Sequence, residues 1–272
     1  LDFIIGLALR GILPLQATRG SAAAIMVLTI GVAIALGSPD ASAQTSDRFA
    51  LDVTDTTRLA YIITGDTKLD ETSRAGLVGL GLVLEARTSV VPGKPVGLDV
   101  ERDELAFFPL LYWPISNIQP PLSDQAKARI NSYMRNGGSI LFDTRDQQFS
   151  TGAGEGALKL RQLVYGLDIP GLIPVPGSHV LTRSFYLLQD FPGRWDGGTL
   201  WVEQPDERVN DGVSSVIVGS NDYAAAWAVD GRGRPLFPVI PGANLQREIA
   251  FRFGVNLVMY ALTGNYKADQ VH

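Results

Sequence analysis

The chain has 272 residues, 46% of them hydrophobic, and a formal net charge of −5. There is no basic stripe, so nucleic acid is not an expected partner. Cysteine is absent, which excludes disulfides, thiolate metal sites and cysteine nucleophiles. The only histidines are His179 and the terminal His272, too few for a histidine-rich metal site, and neither metal nor cofactor is expected.

In chain order, residues 1–19 read as the tail of a preceding membrane or juxtamembrane region. The first residue is Leu1 rather than Met, so the sequence reads as a piece of a longer chain. Gly20 to Pro39 is a run of 20 residues without a charge. As a helix it reaches roughly 30 Å, the hydrocarbon thickness of a bilayer. Gly20–Gly37 is therefore expected to span the lipid bilayer. Arg10 and Arg19 before it, and Asp40 and Asp47 after it, place the rest of the chain outside the cytoplasm. The localisation expected is the inner, cytoplasmic membrane, with the soluble part in the periplasm. Two alternatives stay open. Ala41-Ser42-Ala43 before Gln44 has the form of a signal-peptidase site, and 22–37 can also be a buried soluble helix. Residues 38–57, rich in Ser, Thr, Asp and Ala, read as a linker.

From 58 to 272 the pattern is that of one α/β domain. Leu59–Thr64 is a short apolar run closed by Gly65-Asp66, as in a strand covered on both faces. Leu69–Arg87 reads as a helix. Its Gly76, Gly79 and Gly81 sit inside the helix rather than at a strand-to-helix turn, so they read as packing glycines, not a nucleotide fingerprint. Leu105–Trp113 is the next strand. Ser123 can cap a helix whose Ala126, Ile130, Tyr133 and Met134 form one apolar stripe, ended by Gly137-Gly138. Ser139–Asp143 is a second buried strand. Leu160, Leu163, Val164 and Leu167 mark another helix. Thr199–Glu203 and Ser215–Ser220 look like strands. Asn244 can cap a last helix from Leu245 to Leu262, closed by Gly264. This alternation predicts a mostly parallel sheet.

In such sheets ligands bind beyond the carboxyl ends of the strands. Three strand ends carry polar residues: Asp66, then Asp143, Arg145 and Asp146, then Asp222. The same residue types also serve as ordinary caps and turns. His179, with Arg183 nearby, is the single internal imidazole that acid/base chemistry at neutral pH would use; a hydrogen-bonded structural role is the alternative. Ser184 lies close in sequence, yet no Gly-x-Ser-x-Gly elbow exists. On the last helix Arg252, Asn256 and Tyr260 make a polar stripe, expected to face solvent, with a partner surface as the alternative. Ala250, Phe253, Leu257, Val258 and Ala261 make the core stripe. Tyr112, Trp113 and Trp227 read as core, or as pocket lining.

The stretches Leu105–Pro114, Tyr133–Asp146, His179–Leu188 and Phe253–His272 resemble an uncharacterised domain-of-unknown-function family. Its members sit at the C-terminus of bacterial membrane proteins of BatA-like, aerotolerance-regulator type. The resemblance covers roughly Arg58 to His272. It implies a class I glutamine amidotransferase-like, flavodoxin-like fold and no known reaction. That fold carries its nucleophilic cysteine at a strand-to-helix elbow, where this chain has Asp143-Thr144. Without cysteine, amidotransferase chemistry is excluded. The expected role is a non-catalytic extracytoplasmic domain that binds a ligand or protein partners in a membrane assembly. The alternative is a hydrolase using carboxylates with His179.

Overall fold

The computed structural model describes residues 57–147, 154–204, 214–242 and 244–268. The expected span Gly20–Gly37 lies outside them, as do the residues before it and 38–56 of the linker. Among the described residues no helix is long and apolar enough to cross a membrane.

The strands are β1 (Ala60–Ile62), β2 (Val96–Leu98), β3 (Leu110–Pro114), β4 (Ser139–Asp143), β5 (Leu172–Pro174), β6 (Trp201–Glu203) and β7 (Val216–Gly219). They form one sheet in the order β2-β1-β3-β4-β7-β6-β5. The first five in that order pair in parallel. β6 runs antiparallel to β7, and β5 antiparallel to β6. The two apolar runs of the sequence thus become β1 and β4, separated only by β3. Such runs suit parallel strands because crossover helices cover both faces.

Five helices accompany the sheet: α1 (Thr67–Arg87), α2 (Asp124–Arg135), α3 (Glu155–Leu163), α4 (Tyr223–Trp227) and α5 (Asn244–Ala268). The period of two along each strand sorts the core. Tyr61, Leu110, Tyr112, Leu141 and Ile217 pack with α1, α4 and α5. Ile62, Leu111, Trp113, Ile140 and Phe142 face the other way, onto α2 and α3. Each fully buried aliphatic side chain contributes about 1.5–3 kcal/mol.

The glycines of α1 serve packing, against a helix rather than the sheet. A Cβ on Gly76 would lie 2.4 Å from the Ala224 carbonyl oxygen, and one on Gly79 2.0 Å from that of Trp227. Gly81 has only the Pro92 ring, at 3.9 Å, and needs no such closeness.

Several expectations need correction. The expected strand Leu105–Trp113 enters the sheet only from Leu110; Leu105 and Phe108 are buried in the approach to it. α5 continues through Gly264 to Ala268. Its polar stripe is mostly not solvated. Asn256 and Tyr260 are buried. The Asn256 side chain accepts from Tyr186 N at 2.7 Å and donates to the carbonyls of Leu181 and Tyr186. The segment around 180–188 therefore lies across this face and supplies its partners. Only Arg252 keeps substantial exposure, paired with Glu248.

Candidate functional site at the strand ends

Parallel pairing puts the ends of β1, β3, β4 and β7 on one side of the sheet. Asp66 follows β1, Asp143 closes β4, and Asp222 follows β7, so all three lie at that end. Their surroundings differ sharply.

Asp143 is fully buried and acts as an internal hub. One carboxylate oxygen accepts from the Tyr112 hydroxyl at 2.8 Å and from Tyr223 N at 2.7 Å. The other accepts from Arg145 N and Asp222 N, both at 3.2 Å. Arg145 and Asp222 are the non-glycine residues with positive φ among those described, at 58° and 55°. Such backbone persists only where surrounding bonds hold it, and here one carboxylate holds both turns. Burial, then the charge of Asp222, pushes the Asp143 carboxyl up to about 7. Burial also raises Asp222, while Arg145 and Arg194 oppose it. The Arg194 guanidinium stands 3.7 Å from Asp222. With four donors already on it, Asp143 has no oxygen to offer a substrate.

Beside this hub opens a cleft of about 580 Å³ at the ends of β1, β3 and β4. Asp66, Asn117, Arg145, Asp146 and Glu155 line it, with Ser116 and Thr144. It lies where the strand order reverses, since the chain runs outward from β1 to β2 and then returns to β3 on the opposite side of β1. That is the place where open α/β sheets bind ligands. Several lining groups are also structural. Asp66 caps α1 through Lys68 N and Leu69 N. Asp146 accepts from the Thr144 hydroxyl and from Ala157 N, capping α3. Glu155 accepts from Asn117 at 3.0 Å. Arg145 donates to the Ile115 carbonyl at 2.9 Å, and its buried Nε has no partner. Among the described residues, no three His, Cys, Asp or Glu side chains gather to hold a metal.

His179 and Arg183 are not part of this cleft. His179 caps a single 3-10 turn, Val180–Thr182, through Leu181 N. Its ring rests 5.5 Å from that of Tyr260. The Tyr260 hydroxyl accepts from Ser214 N, just before β7 begins, which puts His179 toward the amino end of that strand. Burial lowers the His179 pKa, and among the described residues no carboxylate hydrogen-bonds to it. Arg183 is exposed and donates to the Gly177 carbonyl at 3.3 Å. Among the described residues, His179 is not paired with a carboxylate as a carboxylate-assisted hydrolase would need.

Sequence reasoning missed Asn117 and Glu155, which the fold brings together from the loops after β3 and β4. The turn after Pro114 was the available signal for Asn117, since β3 is parallel and must end at the same edge. Tyr112 reads as a core aromatic in the sequence; its hydroxyl on a buried Asp is visible only once β3 and β4 pair.

Residues 58–262 match a family described as a domain of unknown function, DUF4159. No curated protein matches the chain.

Proposed function

The chain belongs to the DUF4159 family, and we propose that its domain is a non-catalytic binding module held outside the cytoplasm by a span at Gly20–Gly37. The observation that carries this reading is the cleft at the switch between β1 and β3. It is concave, polar and placed for a ligand, while the Asp143 carboxyl, which burial pushes up to about 7, is sealed away from it. An enzyme of this kind would expose such a group to its substrate.

We read the sheet as flavodoxin-like, of the class I glutamine amidotransferase-like kind. The five parallel strands follow the order 2-1-3-4-5 of such folds. The chain lacks the cysteine of the active members. The resemblance to BatA-like membrane proteins supports a place in a membrane assembly, with protein partners on the periplasmic side.

The test is a thermal-shift screen of the full chain in detergent against polar metabolites. A stabilising compound is expected, and its effect should vanish in Asn117→Ala and Glu155→Gln while the unliganded melting temperature holds. Turnover of an amide, ester, glycoside or phosphate substrate that Asp143→Asn or His179→Ala abolishes, with the fold intact, would overturn the reading. A reporter fused after His272 and active only in the cytoplasm would overturn the orientation.

A further inference from the structure

A second cavity, also about 580 Å³, lies on the sheet face that carries α3. It shares Thr144, Asp146 and Gly154 with the strand-end cleft but opens beyond β4 toward β7 and β6. Its origin is topological. α3 is nine residues long and buries Leu160 and Leu163. The sheet then continues by two antiparallel strands, and no described helix packs on this face of them. Trp201 of β6 pairs with Val218 of β7, so both point to this face. Trp201 is left 39% exposed there. Phe142 and Val216, both fully buried, form the floor.

We propose that this cavity binds a planar aromatic compound bearing an anionic head group. The volume falls within the range of small-molecule sites. The wedge between α3 and the sheet is lined in depth by Phe142, Leu160, Val164, Val216 and Val218, and the Trp201 indole offers a stacking face. The charge of the head follows from the rim. Two charged residues, Asp146 and Arg161, line the cavity. Both oxygens of Asp146 already accept bonds, from Thr144 and Ala157. Arg161 is exposed and makes no ion pair among the described residues, so the available charge is positive. Gln147 and Ser220, joined by a long 3.4 Å bond, add hydrogen-bonding groups that a ligand can redirect at little cost.

The probe is 2-naphthalenesulfonate, titrated calorimetrically into the full chain in detergent against a detergent blank. Saturable one-to-one binding is expected. Trp201→Ala and Arg161→Ala should each weaken it by about three- to tenfold. Val218→Trp should abolish it by filling the wedge. Asn117→Ala, in the neighbouring cleft, should leave it unchanged, which separates this site from the one proposed above. Trp201 is partly exposed, so circular dichroism of its alanine variant should match the parent. No saturable binding, or binding that Trp201→Ala leaves intact in a folded chain, would overturn the proposal.

Discussion

The Asp143 carboxylate, where β4 meets β7, is sealed inside the fold, whereas that of Asp66, after β1, lines an open cleft, and the same residue type behaves differently in the two places. Asp143 is enclosed by β3, β4 and the start of α4, with every oxygen satisfied inside the fold. Asp66 sits on the cleft wall, and its carboxylate accepts from the first turn of its own helix. A buried carboxylate surrounded by donors organises backbone. A carboxylate at a cleft caps its helix and still faces whatever enters. The turn after each strand sets the difference. β7 leads through a tight left-handed turn into α4, which closes over Asp143. β1 and β3 lead into polar turns that leave room between them.

The sharpest way to break this contrast is Asp143→Ala. It strands four donors, two of them on strained turns, and should lower unfolding free energy by about 3–5 kcal/mol in urea denaturation. A loss under about 1 kcal/mol would show that the hub is not holding the turns.

The pH dependence sharpens the same point. The folded pKa of Asp143, about 7, lies above the ordinary 3.8, so the folded state holds the proton more tightly. This group's contribution is therefore fully present below about pH 4 and is lost as pH rises through about 7. Melting curves of the parent and of Asp143→Asn should show the parent's relative stability falling over that window. A constant difference from pH 4 to 8 would contradict the raised pKa.

Smaller effects belong to the open side. Asp66→Ala removes a cap from α1 and should cost about 1 kcal/mol. A loss as large as that of Asp143→Ala would erase the distinction between the two ends. Smallest of all, Asn117→Ala touches an exposed amide bonded to Glu155 and should stay within about 0.5 kcal/mol of the parent.

The open and sealed ends also mark how far the sequence alone reaches. β1 and β4 announce themselves because central parallel strands need continuous apolar runs, and α2 does so through Ser123, its stripe and Gly137. Counting parallel strands is enough to put Asp143 and Asp222 at one end. β2 and β5 are not legible. Each is three residues, and β5 stands between polar or proline-bearing stretches, so only pairing makes it a strand. α4 is five small or aromatic residues, too short for a period to show. The stripe of Asn256 and Tyr260 misleads for a different reason. A polar face implies water only when no loop brings backbone groups to meet it, and a non-local loop leaves no trace in local spacing. His179 obeys the same logic, since its rarity draws notice while its position depends on Tyr260, 81 positions away in the chain.

The bond from Tyr186 N to Asn256 gives that loop an unusual property on the hydrogen-exchange timescale. Tyr186 lies in no strand or helix, and an amide in such a segment ordinarily exchanges by small local openings. Here its acceptor is a side chain with no exposed surface, rooted in α5. Solvent can reach the amide only when the helix and the segment part. Its exchange rate in native buffer should therefore track that of the core amides in β4, and move with them as denaturant is added. Asn256→Leu should release Tyr186 to fast exchange while the β4 amides stay slow.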